Sequence, residues 1–191
     1  FERGSPCLGG YVKSLSLLAA HAPNPVAGAF WASAAASAMD EAASHEEMLT
    51  GGALPASTRT PEPSPACLGY TSYLTAIAAT EPYPVAAAAV LPCFWIYADV
   101  GRSLAGAARA VLDRDPDHPY ARWVAAYDAP EFHAIVDAAR TFVDDAAAAA
   151  TPVQREQMID AFVVASRYEL MFWDSALHPT PWPLAESAVY A

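Results

Sequence analysis

The chain has 191 residues, of which 54% are hydrophobic and 16% are charged, a composition typical of one compact globular domain with a large core. Ten basic and twenty-one acidic side chains give a formal net charge of −11, which opposes binding to nucleic acid and to anionic lipid surfaces. No stretch is expected to be both long enough and apolar enough to span a membrane. Composition therefore indicates a protein that binds neither nucleic acid nor membranes.

The three cysteines, Cys7, Cys67 and Cys93, are too few for a disulfide framework and too far apart for zinc-type pairs. We therefore expect a reducing compartment, and the cytoplasm is the predicted location. The chain opens on Phe1 and shows no basic-then-apolar signal segment, so we expect a start that is processed, truncated or only partly recorded.

Alanine-rich apolar segments alternate with proline clusters, which predicts helices joined by short connections and no sheet. Ser64 before Pro65 and Thr151 before Pro152 are typical helix starts, because the hydroxyl caps the first turn and proline fits the first helical position. A loop is predicted over 51–63. We predict an all-α bundle of about seven helices, over 11–22, 26–49, 64–80, 84–113, 117–127 with Asp117 as its cap, 130 to about 150, and from 151 onward.

Two acid and histidine pairs have spacings found in metal sites of helical bundles. Glu41 and His45 are four residues apart on the second helix, and Asp174 and His178 are four apart on the last. His45 lies in a polar run and His178 at a helix end, so solvated faces are favoured over ligation. A metal-dependent oxidase that uses these four residues with Glu169 nevertheless remains an alternative.

The central helices place polar groups on predicted inward faces. Tyr70 shares an apolar stripe of the third helix, and Cys93 and Tyr97 lie one turn apart on the fourth. Tyr127 shares a stripe of the fifth helix with Trp123. Cys93 is either a nucleophile, which would need a proton acceptor from elsewhere, or a small buried hydrophobic residue.

Glu169 interrupts an apolar stripe of the last helix. The other members of the stripe are Met158, Phe162, Ala165, Phe172 and Ala176. A buried carboxyl group tends to have a raised pKa suited to proton transfer, although a buried Arg or a backbone amide could also satisfy it. Four helices thus each carry a hydroxyl, thiol or carboxyl inward, which is typical of a small-molecule pocket.

The segments that carry these groups resemble the TenA family, also called thiaminase II or aminopyrimidine aminohydrolase. The likeness extends from about 11 to 176 and is carried by Leu-Pro-Cys-Phe-Trp-Ile-Tyr at 91–97, Tyr-Glu-Leu-Met-Phe-Trp at 168–173, Pro-Ser-Pro at 63–65, Tyr-Thr-Ser-Tyr at 70–73 and Asp-Pro-Asp-His-Pro at 115–119. The resemblance implies a single domain over 1–191 with a haem-oxygenase-like fold, a homotetramer, and catalysis without metal or cofactor.

The resemblance also implies roles for individual residues. Cys93 would be the nucleophile that adds to the pyrimidine ring, and Glu169 would contact the aminopyrimidine and act as acid and base. The implied substrate-binding residues are Tyr70, Tyr97, Tyr127 and Phe172. In the family, this addition lets an amine or a thiazolium leave the methylene carbon, and water replaces it to give hydroxymethylpyrimidine in thiamin salvage.

The N-terminal segment departs from the family pattern. The family's pyrimidine-binding Asp and a Tyr three residues later fall at Gly4 and Cys7 of this chain. Three glycines and a proline within 1–10 do not predict a helix, so we expect these ten residues to be atypical or truncated. A non-catalytic small-molecule binding or regulatory protein that keeps the pocket is the resulting alternative.

Overall fold

The computed structural model describes residues 5–50, 63–115, 118 and 121–182. This part of the chain contains no strand, and its helices are α1 (Ser5–Ala20), α2 (Pro25–Thr50), α3 (Pro65–Thr80), α4 (Tyr83–Leu112), α5 (Ala121–Asp128), α6 (Pro130–Ala149) and α7 (Pro152–Leu177). The all-α prediction is confirmed. The loop predicted over 51–63, apart from Pro63, and the predicted cap Asp117 lie outside the described residues.

Helices α3 and α7 each begin at a hydroxyl residue that caps the first turn and is followed by proline. The Ser64 hydroxyl accepts a hydrogen bond from the Cys67 amide at 3.2 Å at the start of α3. At the start of α7, Thr151 and Gln154 exchange side-chain to backbone hydrogen bonds of 3.0 and 3.2 Å. These reciprocal bonds satisfy amides that a helix N-terminus leaves without partners. The starts predicted for α3 and α7 are therefore confirmed.

Helix α1 begins earlier than the sequence predicts, because 5–10 is helical despite its glycines. Gly10 lies against α3, and a Cβ atom at this position would be 2.5 Å from the Thr71 Cβ. One turn further on, the Ser14 and Thr75 hydroxyl oxygens are 3.3 Å apart. Close contact between the two helices thus outweighs the low helix propensity of glycine.

A disulfide joins α1 to α3 through Cys7 and Cys67, whose Cα atoms are 5.5 Å apart. The small number of cysteines predicts unpaired thiols, so this prediction is wrong for Cys7 and Cys67. The two residues are 60 positions apart, and no local pattern in the sequence indicates that they pair. Because disulfides are uncommon in reducing compartments, cysteine usage does not support the compartment that we expected. Cys93 is the free cysteine of the described residues.

Helix α4 is the central element of the bundle, with contacts to α1, α3, α5, α6 and α7. By length and composition alone, α4 could cross a membrane. The expectation that no segment is both long enough and apolar enough to do so is therefore wrong. Most of its apolar window is buried inside the bundle, as is typical of the core helix of a globular protein. Its unbroken buried run over 85–92 leads directly to Cys93.

Gly101 allows α4 to approach α5. A Cβ atom at this position would lie 2.6 Å from the Tyr127 Cβ and 2.7 Å from the Tyr127 carbonyl oxygen. Because backbone atoms cannot yield without moving α5, Gly101→Ala is expected to lower the free energy of unfolding by about 1–3 kcal/mol. Gly106 lies on the same helix and supplies the matched control, because a Cβ atom there would meet no other atom within 4 Å. Gly106→Ala should leave the free energy of unfolding unchanged or raise it. Equal stability of the two variants in denaturant unfolding would contradict this account of the contact.

Candidate active site

The bundle contains a partly open cavity of about 1100 Å³. Helices α3, α4, α5 and α7 bring to its wall all six residues singled out from the sequence: Tyr70, Cys93, Tyr97, Tyr127, Glu169 and Phe172. The cavity slightly exceeds the range of about 300–1000 Å³ that is usual for small-molecule sites, and its wall is mostly apolar with a few polar groups. The structure thus brings these side chains together, while their roles stay predictions.

Glu169 is the buried acid of the cavity, with 1% of its surface exposed. Among the described residues, neither carboxyl oxygen has a hydrogen-bond partner, and no buried arginine satisfies the group. Burial raises the pKa of Glu169. The neighbouring polar groups of Cys93, Tyr70 and Trp173 lower this pKa by a smaller amount, although none of them lies in hydrogen-bonding geometry with the carboxyl oxygens. The protonated form is therefore favoured beyond the usual range of a glutamate, which suits a proton donor and acceptor.

Cys93 faces the same cavity from α4. Burial raises the pKa of its thiol, and the nearby charge of Glu169 raises it further. The thiol is therefore protonated at neutral pH, and a reaction at its sulfur requires a proton acceptor. Glu169 is the group placed to serve as that acceptor.

Aromatic side chains form much of the remaining wall. The Tyr70 ring stacks on Tyr168 with centroids 5.7 Å apart, and its buried hydroxyl has no hydrogen-bond partner among the described residues. The Tyr97 ring lies between those of Tyr127 and Trp173, at 5.2 and 5.0 Å. The cavity therefore combines flat apolar faces with polar atoms that are free to bind a ligand, which is the combination that a small aromatic amine requires.

Tyr11 is a cavity residue that the sequence analysis did not single out. Its hydroxyl donates a hydrogen bond to the Val90 carbonyl at 3.4 Å, and burial raises the pKa of the phenol. Leu15 and Leu18, four and seven residues later, are fully buried. The apolar stripe of α1 was therefore the signal that could have identified Tyr11 as an inward residue.

The sequence indicates Glu41 only as a possible metal ligand, whereas in the structure it lines the cavity and accepts a hydrogen bond from the Tyr127 hydroxyl. Asp174 and His178, by contrast, form an exposed hydrogen bond between Oδ1 and Nδ1 at 2.8 Å. Within the described residues no group of three or more His, Cys, Asp and Glu side chains could hold a metal ion, and the side chain of His45 lies outside them. The ligand set suggested for an oxidase is therefore not assembled in this part of the chain.

An all-α bundle around a partly open pocket with a thiol, an acid and several phenols defines a helical protein with a small-molecule site. The TENA/THI-4/PQQC family model matches residues 7–178, and the chain belongs to this family. The resemblance predicted from the motifs is confirmed.

Two curated relatives show the extent of the sequence similarity. The thiamine biosynthesis multifunctional protein ThiED of Corynebacterium efficiens is 35% identical over 167 residues, which cover 87% of this chain and 22% of the relative. The aminopyrimidine aminohydrolase of Bacillus subtilis (strain 168) is 33% identical over 129 residues, 67% of this chain and 51% of the enzyme. The match thus spans about half of the aminohydrolase and a smaller part of ThiED.

The fold has close counterparts among solved structures. A TenA homologue protein from P. horikoshii OT3 superimposes with a TM-score of 0.75 at 23% identity, over 93% of this chain and 80% of that one. The fold is therefore the helical haem-oxygenase-like bundle, as predicted.

Proposed function

We propose that this protein is a thiaminase II-like hydrolase that releases hydroxymethylpyrimidine from an aminopyrimidine breakdown product of thiamin, or from thiamin itself. The observation that carries the proposal is the free thiol of Cys93 facing the same aromatic cavity as the buried, unpartnered carboxyl of Glu169. The names of the curated aminohydrolase relatives support the same reaction class.

In the first half of the reaction, the Cys93 sulfur forms a bond to the pyrimidine ring while the thiol proton passes to Glu169. The electron density added to the ring then breaks the bond between the methylene carbon and its amine or thiazolium substituent. An amine leaves with the proton held by Glu169, whereas a thiazolium leaves as a neutral thiazole and Glu169 then releases its proton to solvent water, so that its carboxylate is restored on both routes. Covalent addition thereby divides one difficult displacement into two easier steps.

In the second half, water adds to the methylene carbon and gives its proton to the carboxylate of Glu169. The carbon–sulfur bond then breaks, and Cys93 recovers its proton. For an aminomethyl substrate the sum is substrate plus water giving hydroxymethylpyrimidine plus ammonia. The proposed chemistry draws on protein side chains alone, and Glu169 carries protons in both directions.

Binding of the ring is assigned to the aromatic wall. Tyr97, Tyr127 and Phe172 offer ring faces for stacking, and the unpartnered hydroxyl of Tyr70 offers a hydrogen bond. Counting back along the family pattern puts the position of its pyrimidine-binding Asp at Gly4, which lies outside the described residues. We assign the missing contact with the amino group of the pyrimidine to Glu169 and Tyr70.

A direct assay tests this proposal. Purified protein incubated with 4-amino-5-aminomethyl-2-methylpyrimidine is expected to release ammonia and hydroxymethylpyrimidine in equal amounts, measured by coupled absorbance and chromatography. A control with thermally unfolded protein should release neither. Folded protein that releases no product from this substrate or from thiamin would contradict the hydrolase assignment.

The second candidate is a non-catalytic small-molecule binding or regulatory protein. Gly4 at the position of the family's Asp favours it, because a weakened substrate clamp can remove turnover while the pocket remains. Ligand-induced thermal stabilisation without product after long incubation would support this candidate.

Location and assembly are also proposals. We propose a homotetramer, as the family resemblance implies. We also propose a cytoplasmic location, against which the disulfide between Cys7 and Cys67 counts. Ile159, Val163, Leu170 and Leu177 leave an exposed apolar stripe along α7. Such a surface supports contact with another copy of the chain.

A further inference from the structure

The indole of Trp173 is a polar group of the cavity wall that the proposed reaction does not use. Its Nε1–H is buried and has no hydrogen-bond partner among the described residues. A buried indole N–H usually has a partner, as that of Trp31 does when it donates to the Tyr83 hydroxyl at 2.9 Å. The folded protein therefore leaves the Trp173 N–H available as a donor at the cavity.

The geometry of α7 places this donor beside Glu169. Trp173 follows Glu169 by four residues, so the two side chains share one face of the helix. Because helical side chains lean toward the N-terminus, the indole of Trp173 covers the turn that carries Glu169. Neither carboxyl oxygen has a partner of its own among the described residues. The nearby indole N–H lowers the pKa of Glu169, against the larger rise caused by burial.

Neighbouring aromatic rings hold the indole in place. Its ring centroid lies 5.0 Å from that of Tyr97 on α4 and 6.3 Å from that of Trp123 on α5. Phe172, its neighbour in the chain, is at 6.2 Å. A donor fixed by packing loses little conformational entropy when it forms a hydrogen bond, which is the requirement for a preorganised site.

An ionised Glu169 needs such a donor. No Lys, Arg or His lies along the part of the cavity lining that the structure describes, so neutral donors must stabilise the carboxylate. In the proposed reaction the Cys93 thiol gives up its proton to this carboxylate, whereas the indole keeps its own. The titratable groups that surround Glu169 on other helices are Tyr11 on α1, Glu41 on α2, Tyr70 on α3, Cys93 and Tyr97 on α4, and Tyr127 on α5.

We infer that Trp173 is a positioning residue whose indole N–H donates a hydrogen bond to the ionised carboxylate of Glu169 and leaves its other oxygen for the Cys93 thiol. The role in the reaction rests on the proposed function. An indole N–H can only donate, and its hydrogen bond to a carboxylate is stronger than one to a neutral carboxyl group. Trp173 thus favours the state of Glu169 that accepts a proton.

Trp173→Phe tests the inference, because it removes the N–H and keeps an aromatic ring. The acidic limb of kcat/KM against pH, for hydrolysis of 4-amino-5-aminomethyl-2-methylpyrimidine, reports the ionisation of Glu169 in the free enzyme. Loss of the hydrogen bond disfavours the carboxylate, so the midpoint of this limb should move to higher pH by about one unit. Below both midpoints kcat/KM should fall about tenfold, and above them it should recover most of its value.

Trp95→Phe is the matched control. The Trp95 indole packs against Phe162 at 6.2 Å and does not line the cavity. The control should keep both the midpoint and the value of kcat/KM, and ionisation of the substrate is the same for every variant. A fall in kcat/KM for Trp173→Phe that is equal at every pH would indicate a merely structural role and contradict the inference.

NMR of the wild type tests the contact without turnover and without the Trp173 variant. The chain has five tryptophans, which give five indole N–H signals. One signal should move downfield as pH rises through the ionisation of Glu169, and it should stay fixed in Glu169→Gln. If no indole signal follows Glu169, or if the acidic limb of Trp173→Phe coincides with that of the wild type, the inference is wrong while the proposed function stands. If the wild type releases no product, the proposed function fails, and the NMR titration alone decides whether the contact exists.

Discussion

Replacing Cys93 by Ser is expected to lower kcat for aminopyrimidine hydrolysis by at least about a thousandfold while leaving the fold intact. The serine hydroxyl is smaller, less nucleophilic and harder to deprotonate than the thiol, and burial already opposes ionisation at this position. Initial rates of hydroxymethylpyrimidine formation give the effect on turnover, and thermal unfolding gives the effect on stability.

Cys67→Ser provides the matched control for this prediction. It removes a sulfur atom that is buried in a disulfide and does not line the cavity; because the partner Cys7 does line the cavity, the control also carries Cys7→Ser and adds no new thiol there. The control should therefore melt at a lower temperature and keep most of its turnover at temperatures where it remains folded. Wild-type turnover by Cys93→Ser would show that the reaction does not pass through this sulfur.

Glu169→Gln is expected to lower turnover strongly while the protein stays folded. Loss of the proton carrier should lower kcat by about 10²–10⁴-fold, the range typical of general acid–base catalysis. The exposed residue Glu156 on the same helix supplies the control, and Glu156→Gln should keep wild-type turnover. A Glu169→Gln variant with wild-type turnover would remove Glu169 from the reaction.

The stability of the wild type should fall with rising pH more than the stability of Glu169→Gln does. Burial raises the pKa of Glu169, so the folded state holds this proton more tightly than the unfolded state does. The stability of the wild type therefore falls as pH rises from the ordinary pKa of a glutamate through the raised folded pKa. Glutamine cannot ionise, so Glu169→Gln should lose less stability across this interval, as denaturant unfolding at acidic and neutral pH would show.

The local part of the fold was predictable because proline and hydroxyl caps act within one turn. Ser64 and Thr151 begin helices where the sequence predicts them. The start of α1 was not predicted, because the close approach of Gly10 to Thr71 depends on how two helices pack. The disulfide between Cys7 and Cys67 was missed for the same reason, since only the packing of α1 on α3 brings the two residues together.

The candidate site shows the same division between local and long-range information. Glu169 was identified because a carboxyl in an apolar stripe is visible within one helix. Glu41 was visible only through its spacing to His45, whereas its hydrogen bond with Tyr127 joins residues 86 positions apart. Tyr11 could be placed on an inward face but not on a cavity, because a cavity is a property of several packed helices.

The central claim is that the cavity holds one aminopyrimidine ring between the sulfur of Cys93 and the carboxyl of Glu169. A crystal structure of the Cys93→Ser protein with 4-amino-5-aminomethyl-2-methylpyrimidine tests it most directly. We predict that the ring stacks on the aromatic wall, accepts or donates a hydrogen bond at Glu169, and lies about 3–3.5 Å from the serine oxygen. A ring bound elsewhere, or one that contacts neither side chain, would contradict the account.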